Sequence, residues 1–432
     1  MIVRHTAFNL IGLGAPLLVA VACIPPLIHG LGVERFGLLM LIWAVVSYFG
    51  LFDLGLGRAL TQQVAVALAA RDRASLGPLI GTATVLMAVL GIAAGAVMAI
   101  LAPWGVDLIQ GVPDRAETIG AAYAMAVAMP AIVLTAAFRG ILEARYAFGI
   151  INVIRVPMGI YTYLGPLLTV VWLGPRLEVV AWVLVAGRVI ACAVHGWCAW
   201  RSIRADLIGP FSVSSAKARQ LGSAGGWMTV TNVVSPFMGY VDRFLIGALI
   251  SPAAVAFYAT PQEIVSRLSI IPGALTAVLF PTFAASSEVS HSRRLFYRAT
   301  IGLGLVMLPI AVLMVVFAHA FLARWISDEF ATHSTLVFQV LTVGMFVCCL
   351  AHIPYTWLQS TGRARTVAII HLSELPVLIV LLVYLIGEFG YLGAAYACFI
   401  RLVADAIVLF AVSQWAMSSE AAQIKINEGC QA

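Results

Sequence analysis

Twelve stretches of about twenty predominantly apolar residues follow one another along this chain, each long enough to cross a hydrocarbon layer of roughly 30 Å as an α-helix. They lie at 7–29, 37–57, 78–102, 117–138, 150–173, 178–200, 222–250, 253–285, 299–319, 335–358, 366–387 and 391–416. A backbone inside lipid must satisfy its own hydrogen bonds, so a chain patterned this way is confined to a bundle of spanning helices. The composition agrees: 62% of the 432 residues are hydrophobic and 10% charged, against about 45–50% and about 25% in soluble domains.

Orientation follows from Lys and Arg, which are retained in short cytoplasmic loops. Of the 25 Lys and Arg, Arg35, Arg115, Arg176 and Arg324 fall on one side, and Arg188, Arg243, Arg267 and Arg401 inside the stretches. The others gather on the opposite side, among them Arg4, Arg71, Arg73, Arg139, Arg145, Arg201, Arg204, Arg293, Arg294, Arg363 and Arg365. Both termini are therefore expected in the cytoplasm. The net charge of +6 reports this topology and not nucleic-acid binding. Ala20-Val21-Ala22-Cys23 has the look of a lipoprotein cleavage box, but the apolar run continues through Pro25 and Pro26 and is followed by eleven more stretches, so a span is expected there. The seven cysteines show no metal-ligand spacing and read as small packing residues.

The longest polar interruption is cytoplasmic and divides six stretches from six. It sets expected boundaries at 1–205 for an N-terminal lobe, 206–221 for a linker, 222–417 for a C-terminal lobe and 418–432 for a cytoplasmic tail. Gly91 and Gly95 form a GxxxG face that lets helices approach closely. The prolines Pro16, Pro25 and Pro26 of the first stretch, and Pro261, Pro272 and Pro281 of the eighth, are positions where these helices can bend. No P-loop surrounds either lysine, Lys217 or Lys425, and neither HExxH nor GxSxG occurs. These absences turn the reading away from an enzyme.

Chemistry is left to charges inside the apolar stretches, where an Arg or Asp costs about 2.5–3.5 kcal/mol and usually faces protein or a watery path. Glu263 and Arg267 are four apart, with the acid first, the favourable order for a helical pair. Asp242 and Arg243 are adjacent and so point in directions about 100° apart. Arg401 and Asp405 have the spacing of a structural ion pair along one helix, and Arg188 shares a face with His195. His371 and Glu374, three apart, have the makings of a proton site. Asp53 and Arg58 close the second stretch at its inner end. Arginine offers a permanently charged fork matched to phosphate. With rings such as Tyr161, Tyr163, Tyr240 and Trp357 for sugar faces, such a cavity suits a pyrophosphate-linked sugar, and an anionic-lipid channel equally.

Several stretches resemble the Wzx-type polysaccharide-export flippases, whose superfamily includes the MATE drug exporters and the lipid II flippases. Gly32-Val33-Glu34-Arg35-Phe36-Gly37 and Asp53-Leu54-Gly55 are similar to that family's LG-x-E-x-FG turn and D-x-G motif. Asp242-Arg243-Phe244-Leu245-Ile246-Gly247, then Phe257-Tyr258 and Pro281, resemble its second-lobe landmarks, with Phe257 where glycine is commoner. Leu358-Gln359, Gly362-Arg363, Glu374-Leu375-Pro376 and Gly390-Tyr391-Leu392-Gly393 through Arg401 and Asp405 resemble its last three spans.

The resemblance implies an all-α membrane protein of twelve transmembrane helices, in two six-helix lobes around a central cavity with a MATE-like V shape. It implies transfer of undecaprenyl-pyrophosphate-linked oligosaccharide repeat units, for O-antigen or exopolysaccharide, from the cytoplasmic to the periplasmic leaflet by alternating access. No cofactor or metal is expected beyond H+ or Na+ as coupling ion. The expected partners are the lipid-linked glycan, the bilayer and other polysaccharide-assembly membrane proteins. Arg267, Arg58, Arg243 and Arg188 are then candidate substrate contacts; Asp242, Glu263, Glu374 and Asp53 are candidates for ion coupling or charge tuning; Arg401 and Asp405 form the structural pair. Two other readings stay open: a MATE-like exporter of organic cations, which calls for a net acidic cavity, and a multi-span polymerase or acyltransferase.

Overall fold

The computed structural model describes residues 2–49, 56–208, 211–285 and 289–429, with the side chains of 2–15, 17, 48–49, 222–236, 277, 281, 284–285, 289–290, 364 and 420–429 left outside the description. Its elements are α1 (Ile2–Leu31), α2 (Val33–Phe49), α3 (Leu56–Ala69), α4 (Arg73–Asp107), α5 (Arg115–Ala144), α6 (Phe148–Leu173), α7 (Leu177–Ile203) and α8 (Ser215–Leu249). There follow α9 (Pro252–Ser266), a 3₁₀ turn (Arg267–Ser269), α10 (Ile270–Ala285), α11 (Val289–Val316), α12 (Ala318–Trp325), α13 (Asp328–Ser360), α14 (Ala364–Phe389) and α15 (Tyr391–Gly429). Among the described residues there is no strand, and nine helical segments are long and apolar enough to cross a membrane. Over their described residues the twelve apolar stretches are helical almost throughout; 253–285 becomes the pair α9 and α10, and 37–57 covers most of α2 and the first two residues of α3, with 50–55 outside the description.

Two short helices go beyond the sequence reading, which left most of their residues in loops. In α3, Gly57, Leu60, Val64 and Ala67 are buried at helical spacing, and this stripe folds the segment onto α4 and α5. A hydropathy window of membrane length passes over so short an amphipathic run. In α12 the buried pair Ala318 and Leu322 plays the same part.

The chain forms two compact units, Met1–Ala256 and Phe257–Ala432, divided within α9. Helix α8 thus falls in the first unit, although the polar stretch that marks the linker in sequence precedes it. In the first unit α5 is the inner helix, its membrane-length window 56% buried, and it packs on α4, α7 and α3. The contact with α4 depends on absent side chains. A Cβ at Gly91 would lie 2.6 Å from Pro130 Cα, and one at Gly95 2.5 Å from the Ala126 carbonyl oxygen. Gly95→Leu is therefore expected to lower the melting temperature of the purified protein, since overpacking costs about 1–3 kcal/mol. An unchanged melting temperature would contradict this contact.

Polar residues tie the ends of these helices. On the predicted outer side, Glu117 of α5 accepts from Arg35 Nε at 3.1 Å and from the Leu177 backbone amide. Gly32, at φ +80°, makes the turn from α1 to α2 in a conformation that costs glycine little. On the predicted inner side, Asp206 takes ion pairs from both Arg145 and Arg73, the latter at 3.1 Å. The segment beyond it lies on α4, where the Ser214 amide donates to Thr82 Oγ1 at 2.9 Å. In the second unit α13 is the inner helix, its window 44% buried, packed on α15, α11, α10 and α14.

Candidate functional site

The first unit holds three of the four candidate arginines. Arg188 lies on the face of α7 that also buries Leu184, Val185, Ala191 and His195. It is half-buried, and among the described residues it has neither an ion pair nor a hydrogen bond. His195, seven residues on, is 6% exposed, with Nδ1 against the Ala191 carbonyl at 2.8 Å, the position of a core histidine. Arg243 and Asp242 are enclosed, at 4% and 3% exposure. Asp242 Oδ1 accepts from the Arg243 amide at 2.8 Å, and the guanidinium lies over the Tyr240 ring at 5.2 Å. Arg58 is exposed on the first turn of α3. Asp53 lies outside the described residues.

In the second unit, Glu263 and Arg267 form the ion pair that their spacing predicts, Arg267 Nη2 donating to Glu263 Oε1. The pair stands where the helix breaks. Pro272 has no amide to donate to the carbonyl four residues earlier. Ser266 and Ser269 turn their hydroxyls back onto the Glu263 and Ser266 carbonyls at 2.9 and 2.7 Å, a habit that loosens and bends helices. The result is the 3₁₀ turn Arg267–Ser269, one turn before Pro272.

Further along, α14 and α15 bring four ionisable side chains together. His371 Nε2 is 3.5 Å from Asp405 Oδ1, and Arg401 Nη1 is 4.0 Å from Glu374 Oε2. All four are mostly enclosed, their side chains 12–20% exposed. Tyr355 of α13 stacks on the His371 ring at 6.0 Å and 12°. Both Glu374 oxygens and Asp405 Oδ1 are buried without a hydrogen-bond partner. Spacing alone pairs Arg401 with Asp405 along α15; in the structure each reaches across to α14 instead. The cause is geometric: residues four apart on α15 meet residues three apart on α14, and both intervals return to the same helix face. Two carboxylates thus share one guanidinium and one imidazole.

Of the four candidate arginines, Arg188, Arg243 and Arg58 belong to the first unit and Arg267 to the second. The rings singled out for sugar contact have other duties. Tyr161 donates its hydroxyl to the Val183 carbonyl at 2.8 Å, Tyr163 packs on Trp43 at 5.0 Å, and Trp357 is 1% exposed. Tyr355 carries no signal in the sequence, since only the fold places it on His371. Phe257 is explained by packing: its ring meets His333 at 4.6 Å, Phe330 at 5.2 Å and Tyr391 at 6.1 Å.

Comparison with known proteins adds family and fold. The family model described as "Polysaccharide biosynthesis protein" matches residues 2–287. A Shigella flexneri protein named "Putative O-antigen transporter" is 29% identical over 417 residues, covering 96% of this chain and 97% of its own. "Uncharacterized membrane protein EpsK" of Bacillus subtilis (strain 168) is 23% identical over 397 residues, covering 88% and 76%. Among solved structures, an inward-facing multidrug resistance MATE family transporter of the MOP superfamily superposes with a TM-score of 0.80 at 15% identity, over 95% of this chain and 98% of that one. A MOP superfamily transporter from Pyrococcus furiosus, described as having a binding pocket of reverse polarity, gives 0.65 at 17%, over 97% and 95%. The all-helical fold is that of the MATE transporters.

Proposed function

The chain belongs to the polysaccharide biosynthesis protein family, and from that premise we propose that it is a flippase for undecaprenyl-pyrophosphate-linked oligosaccharide repeat units. It moves them from the cytoplasmic to the periplasmic leaflet of the inner membrane by alternating access, with both its termini in the cytoplasm. The transporter fold and the near full-length likeness to the Shigella protein support transport as the activity. The observation that carries the substrate class is Arg188, a guanidinium on the buried face of a spanning helix with no carboxylate to neutralise it among the described residues. A permanent charge placed there is costly unless an anion visits it, and a guanidinium matches phosphate oxygens two at a time. An exporter of organic cations calls instead for a net acidic cavity.

The quartet of His371, Glu374, Arg401 and Asp405 is the proposed coupling site. It sets two carboxylates against one guanidinium and one imidazole. One bound proton or Na+ neutralises it, and burial favours the neutral cluster. Entry of the ion from outside and its release inside then link the gradient to the cycle.

Arg188→Gln tests the substrate reading. Loss of charge-assisted hydrogen bonds to phosphate costs about 1.5–3 kcal/mol, so transfer is expected to slow by about ten- to a hundredfold. Lipid-linked repeat units then accumulate in the inner leaflet while the variant still inserts, as leaflet-specific labelling of spheroplasts would register. Surface polysaccharide at the parental rate would remove Arg188 from the pathway. A shift in drug susceptibility with no lipid-linked glycan accumulating would replace the flippase reading with drug export.

A further inference from the structure

We infer that Arg139 is a second seat for lipid phosphate, at the predicted inner end of the same α5–α7 seam that holds Arg188. The two helices run side by side in one direction, and contacts along their length fix the register. Near the outer end Glu117 accepts from the Leu177 amide, and a Cβ at Gly120 would lie 2.8 Å from Glu178 Cδ. Further in, the Cys192 thiol meets the Thr135 hydroxyl, and a Cβ at Gly196 would lie 3.1 Å from Phe138 Cε2. Arg139 comes within electrostatic reach of His195. Carried along the helices, this register sets Arg188 level with Pro130 and Ala131. Arg139 lies two turns further in, a rise of about 12 Å.

Between the two guanidiniums the seam is polar or small. On α5 it presents Ala131, Thr135 and Arg139, and on α7 Arg188, Cys192 and His195; intervals of three and four return to one face of each helix. Arg188, Cys192 and Thr135 are half-buried and Arg139 is exposed, so the seam opens progressively towards its inner end. Arg139 is held only loosely by its own acid. Its Nε is 3.4 Å from Glu143 Oε1, with the two side chains 45% and 38% exposed. The base precedes the acid, the weaker order for a pair one turn apart, and exposed pairs of this kind contribute little. A phosphate can therefore displace Glu143 at small cost, and the guanidinium then takes its oxygens as a fork. A headgroup still in the adjoining leaflet meets Arg139 first and Arg188 after entry, so its charge has a partner at both ends of an interval that is otherwise costly to cross. The inference rests on the reading of Arg188 as a phosphate contact. Its chemistry is common to two sources, the polyprenyl pyrophosphate carrier and bulk anionic phospholipid.

Native mass spectrometry of the purified full-length protein, titrated with undecaprenyl pyrophosphate, phosphatidylglycerol or undecaprenol, tests the seat. R139Q is expected to weaken binding of undecaprenyl pyrophosphate about tenfold, the size of lost charge-assisted hydrogen bonds, and to leave undecaprenol unchanged. E143Q, which releases Arg139 from its acid, is expected to tighten that binding about twofold, a gain that a merely structural pair would not give. A loss with undecaprenyl pyrophosphate alone assigns the seat to the carrier; an equal loss with phosphatidylglycerol assigns it to lipid phosphate in general. Parental binding by R139Q, or weakening of undecaprenol along with the phosphate lipids, overturns the seat. R188Q separates the two readings: parental binding there, with R139Q weakened, takes Arg188 out of the pathway and leaves the inner seat standing. Should R139Q fail to fold, R139K, which keeps the charge and loses the fork, is expected to weaken binding about threefold, and its binding at the parental level is the same refutation.

Discussion

Gly37→Val is expected to abolish accumulation of folded protein. A Cβ at Gly37 would stand 1.7 Å from the Pro252 carbonyl oxygen, 2.5 Å from its carbon and 3.2 Å from its Cα. All three atoms are backbone, in the first turn of α9, so no side chain can swing aside. Phe36 and Leu38 on either flank are 0% and 3% exposed, which leaves α2 no room to retreat. The cost should exceed the roughly 1–3 kcal/mol of ordinary overpacking. Size-exclusion chromatography of a fluorescent fusion extracted from membranes reads the result, and a monodisperse peak of parental height would refute the contact. Gly105→Ala is the matched control, because nothing lies within 4 Å of a Cβ there.

The second large effect is expected at Arg401. Arg401→Leu removes the guanidinium paired with Glu374 and leaves two enclosed carboxylates to share one imidazole. Breaking a buried ion pair by removing one partner typically costs about 3–5 kcal/mol, whereas replacing both partners with apolar groups is often nearly neutral. Arg401→Leu should therefore depress the melting temperature strongly, and R401L/E374L should recover much of the loss. The recovered double variant is then expected to be stable yet without response to an imposed ion gradient in proteoliposomes. Gradient-driven transfer by R401L/E374L would take coupling away from these residues, while a melting temperature unmoved in R401L would show the pair to be open to water.

Much of the fold was legible in the sequence because lipid imposes a single length scale on every helix. Over their described residues the apolar stretches became helix for that reason, and Gly91 and Gly95 disclosed a close contact because small residues four apart leave one gap on one face. Charge partners were harder to read. Glu263 and Arg267 pair as their spacing suggests, since the partner of each lies one turn away on the same rod. Arg401 and Asp405 have the same spacing and yet bond elsewhere, because a second polar helix competes for them and spacing is blind to neighbours. For Asp242 and Arg243, adjacency predicted divergent directions but gave no sign that both would be enclosed. The amphipathic α3 escaped because its apolar stripe is too short to register as a span, and Tyr355 because its role exists only after α13 and α14 have packed.

The break at Arg267–Ser269 has a consequence for every position beyond it. Three residues wound at about three per turn sweep roughly 360° and climb about 6 Å, where an α-helix would sweep about 300° and climb about 4.5 Å. The face that α9 presents is thus carried into α10 with an added rotation of about 60° and a lengthening of about 1.5 Å. A wheel drawn continuously from Pro252 to Ala285 assigns the wrong azimuth to every side chain past Ser269. Pro272 and Thr276 must be placed from a wheel restarted at Ile270, and cross-links or spin labels designed for α10 should be indexed from that residue.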